Sequence, residues 1–243
     1  MTFDDAVRRL ERGLRQELPG VAAQARMSPI PRRKWPAGFN PARIRNAAGL
    51  LLLFPGTSSN AESAKFAEKD DSDETSHGSQ RSLRSQADAA TAHIILTVRG
   101  EGMRHGGQVS LPGGVVEPGE TFEQAALREA QEEVSLAPES VRIVGALTPL
   151  DIPVSGFRLH PVIGITDRQP HLAAADGEVA HILDVAVDEL MALENLEHHH
   201  RDRDGFALLV PTFQIQRHEV WGATAMVLAE FLTLLGWNGP STD

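Results

Sequence analysis

The apolar residues at the start of the chain follow a helical period. Between Phe3 and Leu18 they recur at steps of three and four residues, which predicts an amphipathic helix over residues 3–18. Pro19 and Gly20 should end this helix, because both residues interrupt helical structure. We expect its apolar face to pack on the rest of the protein or on a partner subunit, which leaves a homodimer open.

Further along the chain, six short apolar segments predict β-strands. They cover residues 47–54, 92–98, 141–147, 157–165, 180–187 and 206–213. Pro161 interrupts the fourth of them, which predicts an edge strand or a bulge. Helices are predicted to begin near Phe122, to cover residues 188–193 and, as an amphipathic element, to cover residues 223–235. This order of elements predicts an α/β (α+β) fold, with helices layered on a mixed β-sheet.

A polar insertion separates the first two predicted strands. The 34 residues from Gly56 to Ala89 contain one aromatic residue, many Ser, Asp and Glu residues and no hydrophobic period. Such a composition cannot bury enough apolar surface to offset the entropy of ordering the chain. We therefore expect a disordered insertion at a hairpin tip, over residues 55–91, although a lid that uses Arg81 and Arg84 is an alternative.

The insertion and the N-terminal pattern together suggest a domain organisation. Residues 1–44 are expected to form an N-terminal helix and a lead-in rich in Pro and Arg. Residues 45–238 are expected to form one domain that contains the insertion. A chain of 243 residues is long enough for one substantial core of this kind.

Charge and composition exclude several classes of function. The formal net charge of −10 argues against non-specific binding to nucleic acid and to an anionic membrane surface, because both require a basic face. The absence of cysteine excludes thiolate zinc sites, disulfides and cysteine nucleophiles. No apolar run approaches the roughly 20 residues of a membrane span. The acidic residues Asp4, Asp5 and Glu11 suit neither a secretory signal nor a transit peptide, so we expect a cytoplasmic protein.

Three glutamates are spaced so that they share one side of the helix that is predicted to begin near Phe122. Glu129, Glu132 and Glu133 stand at positions i, i+3 and i+4, where like charges repel each other unless a cation intervenes. Carboxylates of this kind suit a hard divalent ion, and Mg²⁺ characteristically binds through one or two carboxylates together with substrate phosphate. The spacing therefore predicts metal-dependent chemistry on a diphosphate.

Glutamates on a helix more often form a solvated face, and the surrounding residues decide between the two interpretations. Arg128 can pair with Glu132 or with Glu120, which would organise the carboxylates. The turn at Gly113 and Gly114 lets the backbone approach a phosphate or offer a carbonyl oxygen to a metal. These neighbours favour the metal site over the solvated face.

The same residues fit the motif of a known family. Gly114, Glu120, Arg128, Glu129, Glu132 and Glu133 match a glycine, a glutamate six residues later and an Arg-Glu-x-x-Glu-Glu run eight residues further on. The chain thus resembles a Nudix hydrolase, and this implies the Nudix fold, in which a mixed β-sheet lies between helices. Ser135 stands where the family pattern has a glycine that ends the helix in a left-handed conformation.

The resemblance implies roles for the motif residues and a cofactor. Glu129 and Glu133 would hold Mg²⁺ or Mn²⁺, with Glu132 assisting and Gly114 offering its carbonyl oxygen. Arg128 would act in catalysis by orienting the carboxylates.

The segment upstream of the motif resembles the additional motif of the coenzyme A pyrophosphatase subgroup. It reads LTVRGEGMRHGGQVSLPGG over residues 96–114, with Leu111 where the subgroup has an aromatic residue. Its implied substrate-binding residues are Arg99, Arg104, His105 and Gln108. Downstream similarity lies in residues 155–157, 161–164, 177–179 and 220–225. The implied reaction cleaves coenzyme A or acyl-CoA to adenosine 3′,5′-bisphosphate and a 4′-phosphopantetheine compound.

Several alternatives stay open at this point. Glu178 resembles a glutamate that related hydrolases bring to the metal site, where it would be the general base or an additional metal ligand; Glu132 is the competing general base. Another nucleoside diphosphate derivative, such as ADP-ribose or NADH, is an alternative substrate, and a non-catalytic nucleotide sensor is an alternative function. The run His198–His200 is interpreted as a solvated turn, and Phe213 and Trp221 as core residues rather than adenine contacts.

Overall fold

The computed structural model describes residues 1–57, 90–102, 106–203 and 205–240 of the chain. Its helices are α1 (Phe3–Leu14), α2 (Gly20–Ala25), α3 (Phe122–Val134), α4 (Val187–Met191) and α5 (Gly222–Leu234). Its strands are β1 (Arg45–Gly56), β2 (Thr91–Arg99), β3 (Val109–Ser110), β4 (Gly113–Val115), β5 (Arg142–Ala146), β6 (Leu150–Ile152), β7 (Phe157–Ile165), β8 (Val179–Ala186), β9 (Leu196–Arg203), β10 (Phe206–Ile215) and β11 (His218–Trp221). Short 3₁₀ turns lie at Pro41–Arg43, Pro138–Ser140 and Leu193–Asn195.

The larger of the two sheets is mixed, as the sequence predicts. Its central strands run in the order β3-β2-β1-β7-β5, with β4 paired to β1, β6 to β7 and β8 to β2. Strands β1 and β7 are parallel, and the other pairs are antiparallel. The smaller sheet is an antiparallel arrangement in the order β11-β10-β9. The α/β class with a mixed sheet is therefore confirmed.

Strand β1 is apolar and buried from Ala48 to Phe54 because both of its faces are covered there. Leu50 and Leu52 point into a core shared with α3. Leu51 and Leu53 belong to the opposite core, which includes residues of α1 and α5. Leu10 of α1 is fully buried in that second core, so α1 packs on the rest of the chain itself.

The predicted N-terminal helix is four residues too long. Helix α1 ends at Leu14, and the chain then turns so that α2, which the sequence pattern did not reveal, can begin at Gly20. The Gly20 amide donates a hydrogen bond to the buried carboxylate of Glu230 on α5, at 3.1 Å. We attribute the start of α2 at Gly20 to this long-range contact rather than to a local helix-terminating signal. Met27 follows α2 into the same core as α1.

The C-terminal helix was expected to be amphipathic, and this is wrong. Residues 224–232 of α5 are all buried, because α1, α2, β10 and β11 all contact this helix. The one charged residue in this stretch, Glu230, is fully buried and hydrogen-bonded. A helix surrounded by protein on several sides has no polar stripe.

Two further local predictions are wrong. Pro161 lies in β7, which is an interior strand between β1 and the pair β5 and β6. The proline is tolerated because it falls where β5 gives way to β6, and its carbonyl accepts a hydrogen bond from the Leu147 amide at 2.9 Å. The run His198–His200 is not a turn but part of β9, where it pairs with residues of β10.

The remaining predictions concern the insertion and the ends of the chain. Gly56 pairs with Thr91, so the segment between β1 and β2 leaves and re-enters the sheet at adjacent positions. The expected disorder falls on residues 58–89, which lie outside the described residues. The division at residue 44 stays a prediction. Within the described ranges, no helix has the length and apolar character needed to cross a membrane.

Candidate active site

Helix α3 begins and ends as its local sequence dictates. Thr121 and Gln124 form a reciprocal capping box, which places the first helical residue at Phe122 as predicted. Ala126 and Ala130 are buried against β1, so the glutamates of the helix lie away from that contact. Ser135 ends the helix in the left-handed conformation, with φ 56°.

Arg128 organises the carboxylates of this helix. Its guanidinium donates to both oxygens of Glu120, at 2.8 and 3.2 Å, and to Glu129 and Glu132 at 3.0 and 3.1 Å. A further bond of 3.0 Å reaches the carbonyl of Val115. The hydrogen bond from Arg128 lowers the pKa of Glu120, and the same bond raises the pKa of Arg128. The sequence left the partner of Arg128 as Glu132 or Glu120, and the structure shows that it bonds both.

Glu133 is tied to the glycine turn that precedes the helix. Its carboxylate accepts a hydrogen bond from the Gly113 amide at 3.1 Å. The pKa of Glu133 is raised to about 7, mainly by burial and also by the negative charges of Glu129 and Glu178, whereas the Gly113 hydrogen bond and the positive charge of Arg99 act in the opposite direction. The electrostatic environment of Glu133 therefore includes the carboxylates of Glu129 and Glu178 and the guanidinium of Arg99.

Gly114 lies directly beneath Glu129. A Cβ built at position 114 would overlap the Glu129 carboxylate, so a larger residue there would force this carboxylate to move. The backbone of Gly114 is held in place by the pairing of β4 with β1, in which Gly114 stands opposite Ala48. Burial also raises the pKa of Glu129, although the hydrogen bond from Arg128 acts in the opposite direction.

The donor set of this site fits a hard divalent cation. Burial of Glu129 and Glu133 disfavours their charged forms, and a nearby cation would relieve that cost. Gly114, whose carbonyl oxygen was predicted as a metal ligand, lies against the Glu129 carboxylate. In the part of the chain that is described, no three His, Cys, Asp or Glu side chains already converge on one metal position, because Arg128 engages two of the carboxylates.

Two predicted substrate-binding residues lie together at the end of β2. Arg99 and Gln108 line one cavity of about 280 Å³, and the Arg99 amide donates to the Gln108 carbonyl at 3.0 Å. Arg99 also acts electrostatically on Glu133, so this residue connects the cavity to the carboxylates of α3. Arg104 and His105 lie outside the described residues.

Glu178 reaches the same region from a different loop. The Gly100 amide donates to the Glu178 carbonyl at 2.9 Å, which holds the start of β8 against the end of β2. The side chain of Glu178 is exposed, and its charge raises the pKa of Glu133. The structure therefore brings Glu178 into the electrostatic environment of the glutamates on α3.

The cavity has lining residues that sequence reasoning did not identify. Arg32 and Arg33, from the segment before β1, line it together with Asp151 of β6. The Pro and Arg content of that segment was a signal for them, but no local pattern placed it beside β2. Trp221 also lines the cavity and is only partly buried, whereas Phe213 is a core residue as expected.

The chain is similar to proteins of one family. The sequence model of the NUDIX domain matches residues 85–209, slightly more than half of the chain. A protein of Citrobacter koseri described as "Uncharacterized Nudix hydrolase NudL" is 37% identical over 145 residues, which cover 59% of this chain and 75% of that protein. A protein of Klebsiella pneumoniae with the same description is 38% identical over 148 residues, with the same coverage of each chain.

The chain is also similar, at low sequence identity, to proteins of solved structure. The crystal structure of the Nudix hydrolase RenU from M. smegmatis is 23% identical, with a TM-score of 0.42, and covers 60% of this chain and 73% of its own. The binary complex of a C. elegans Ap4A hydrolase is 15% identical, with a TM-score of 0.40, and covers 61% of this chain and 84% of its own.

Nudix hydrolases are in general pyrophosphohydrolases that act on small-molecule nucleotides with divalent metal ions. The domain match and the sequence relatives together identify the present chain. It belongs to the Nudix hydrolase family.

Proposed function

We propose that this protein hydrolyses the diphosphate of coenzyme A or its thioesters. Water adds across one P–O bond of the diphosphate, and the products are adenosine 3′,5′-bisphosphate and 4′-phosphopantetheine or its acyl form. One observation carries the proposal: Arg99, the first residue of the coenzyme A type motif, lines the cavity and also acts on Glu133. The carboxylates of α3 do not line the cavity themselves, so the substrate would extend past Arg99 to bring its diphosphate to them.

The carboxylates of α3 are proposed to hold Mg²⁺ or Mn²⁺. Glu129 and Glu133 would be the principal ligands, with Glu132 assisting and the carbonyl of Gly114 nearby. When bound, such an ion neutralises charge on the diphosphate and lowers the pKa of the attacking water. Arg128 positions the ligands, because its hydrogen bonds fix Glu129 and Glu132 relative to Glu120.

We assign the role of general base to Glu178 rather than to Glu132. The Glu132 carboxylate is bound to the guanidinium of Arg128 at 3.1 Å, so one of its oxygens already has a partner. Glu178 has no hydrogen bond to its carboxylate from any of the described residues, yet its charge reaches Glu133. Glu178→Gln should therefore lower kcat far more than Glu132→Gln, and equal losses would contradict the assignment.

The substrate-binding residues are proposed to contact phosphate groups. Arg99 suits this role, because a guanidinium fork can donate two parallel hydrogen bonds to a phosphate. Its Nε atom is buried and has no hydrogen-bond partner among the residues described. Gln108 adds an amide on the same wall. Arg104 and His105, which lie outside the described residues, remain proposed substrate-binding residues on the family resemblance alone.

A substrate panel tests the proposed function. Purified protein should be assayed with coenzyme A, acetyl-CoA, 3′-dephospho-coenzyme A, ADP-ribose and NADH, with Mg²⁺ and with Mn²⁺. Coenzyme A or its thioester should give the highest kcat/KM, with adenosine 3′,5′-bisphosphate as product. A clear preference for ADP-ribose or NADH would instead support the alternative substrate class.

The cytoplasmic location and the homodimer that the sequence suggests remain predictions.

The matched control for this panel is a variant that keeps the fold. Glu133→Gln preserves the shape of the side chain and should reduce turnover by several orders of magnitude, as expected for loss of a metal ligand. Wild-type turnover in Glu133→Gln would refute a metal-dependent mechanism at this site. Absence of product from every substrate, with metal binding intact, would favour a nucleotide sensor.

A further inference from the structure

One wall of the cavity comes from a segment outside the matched NUDIX region. Residues 28–35, which we call the N-terminal strap, precede β1, whereas the domain match begins at residue 85. The strap contributes Arg32 and Arg33 to the cavity lining. Any contact between the N-terminal strap and a substrate would therefore add to the contacts made by the matched domain.

The strap is attached to the rest of the protein on both sides of these arginines. Ile30 and Leu209 of β10 exchange backbone hydrogen bonds of 2.8 and 2.9 Å. The indole of Trp35 donates to the carboxylate of Asp151 on β6 at 3.2 Å. Arg32 and Arg33 lie between these two attachments, so their backbone is held at the cavity.

The charged side chains of the cavity are predominantly basic. Within the described residues, its lining includes Arg32, Arg33 and Arg99 but only one acid, Asp151. Asp151 is already bonded to Arg158 at 2.7 and 3.3 Å, and these bonds lower the pKa of Asp151. In a protein of net charge −10, this local excess of arginine favours an anionic ligand.

The arginines come from two separate elements, which indicates two anionic groups on the ligand. Arg99 ends β2 beside Glu178, because the Gly100 amide donates to the Glu178 carbonyl at 2.9 Å, and so it belongs to the diphosphate side. The strap arginines come from residues more than sixty positions earlier and share the cavity with apolar side chains, including Trp221 and Met226. An apolar surface combined with two basic groups suits a nucleoside that carries a phosphate apart from its diphosphate.

We propose that Arg32 and Arg33 bind the phosphate monoester on the nucleoside end of the substrate and thereby determine specificity. This inference rests on the proposed function, in which that group is the 3′-phosphate of coenzyme A. The strap arginines take no part in the cleavage step. They distinguish a substrate with the additional phosphate from one without it.

The test compares two substrates that differ only in this phosphate. In the double variant Arg32→Ala/Arg33→Ala, KM for coenzyme A should rise on the order of tenfold or more, as expected for lost charge-assisted hydrogen bonds. Its kcat should stay within about twofold of the wild-type value, because the lost contacts bind ground state and transition state alike. Both constants for 3′-dephospho-coenzyme A should stay unchanged.

Lys34→Ala is the matched control. Lys34 lies between the strap arginines and Trp35, is exposed and does not line the cavity. This variant removes one positive charge from the same segment and should leave both substrates unaffected. Equal losses for both substrates in the arginine variant, or no loss for either, would overturn the proposal.

A binding measurement separates this proposal from the proposed function. Calorimetric titration with adenosine 3′,5′-bisphosphate and with AMP requires no turnover. The wild-type protein should bind the bisphosphate more tightly than AMP, and Arg32→Ala/Arg33→Ala should remove that difference. If coenzyme A is not cleaved but this difference is found, only the proposed function fails. If coenzyme A is cleaved and the variant retains the difference, the assignment of the strap arginines fails.

Discussion

The carboxylate of Glu129 lies against the backbone of Gly114 so closely that no side chain fits between them. This contact positions a proposed metal ligand from the turn that precedes α3. Gly114→Ala should displace the Glu129 carboxylate, weaken Mn²⁺ binding at least tenfold and lower kcat, because a Cβ would occupy its place. Calorimetry with Mn²⁺ would measure the affinity.

The control for this change is Gly102→Ala. A Cβ at Gly102 would meet no described atom within 4 Å, and its backbone does not adopt a positive φ. This variant should bind Mn²⁺ as the wild type does. Unchanged Mn²⁺ affinity in Gly114→Ala would show that the close approach to Glu129 is not needed for the site.

The raised pKa of Glu133 predicts a pH dependence of stability. The ordinary pKa of 4.5 applies in the unfolded chain, whereas burial raises the pKa of Glu133 to about 7 in the folded protein. Between these values the folded state binds more protons, so the contribution of Glu133 to stability falls as pH rises from about 4.5 to about 7. Urea unfolding in the presence of a chelator, at pH 5 and pH 8, would measure the decrease.

Glu133→Gln should remove this part of the pH dependence, because the amide does not titrate. Glu139→Gln, at an exposed position, should keep it. The same proton must leave before a metal ion binds, so Mn²⁺ affinity should increase from pH 6 to pH 8 in the wild type. An identical change in stability in both variants would assign the pH dependence to other groups.

Arg128 is bound in a geometry that lysine cannot reproduce. Its two bonds to Glu120 use the planar guanidinium, while a third nitrogen serves Glu129 and Glu132. Arg128→Lys should lower kcat on the order of tenfold, since misplaced carboxylates lose their fixed geometry. Arg142→Lys, in an exposed pair with Glu11, should leave kcat unchanged. Steady-state kinetics with the best substrate of the panel would measure both variants.

Glu230 holds the N-terminal region against the core. Its buried carboxylate accepts hydrogen bonds from the Gly20 amide, from Gln24, and from the amide and hydroxyl of Thr148, at 2.7–3.2 Å. Glu230→Ala should lower the free energy of unfolding by about 2–5 kcal/mol, because several buried donors lose their acceptor. Urea unfolding checks this value.

Two comparison variants make the interpretation of Glu230 specific. Glu230→Gln keeps one acceptor oxygen and should be less destabilising than Glu230→Ala. Glu194→Gln changes an exposed carboxylate and should leave the urea midpoint unchanged. A wild-type midpoint in Glu230→Ala would mean that these hydrogen bonds contribute little net stability.

Ser135 carries a conformational cost that glycine would avoid. Its φ of 56° lies in the left-handed region, which costs a residue with a Cβ roughly 1 kcal/mol. Ser135→Gly should therefore raise Tm by a few degrees without changing kcat. Ser140→Gly, at a position without positive φ, should lower Tm or leave it unchanged. A lower Tm for Ser135→Gly would show that the serine side chain contributes more than its strain costs.

Local sequence patterns determined α3 and the placement of its glutamates. The capping residues Thr121 and Gln124, the buried alanines and the spacing of Glu129, Glu132 and Glu133 all act within a few turns of one helix. Strand β1 was equally clear, because a continuous apolar run reports burial on both faces. Such features depend on neighbours in the chain and can be read from it directly.

Only the tertiary structure decided which distant segments share the cavity and the core. Ile30 pairs with Leu209, and Glu230 bonds Gly20, across long stretches of chain. No periodicity records such contacts, because each depends on where the sheet and α5 place the two segments. For the same reason α5 was expected to be amphipathic, although protein surrounds it, and Arg32 and Arg33 were not recognised as cavity residues.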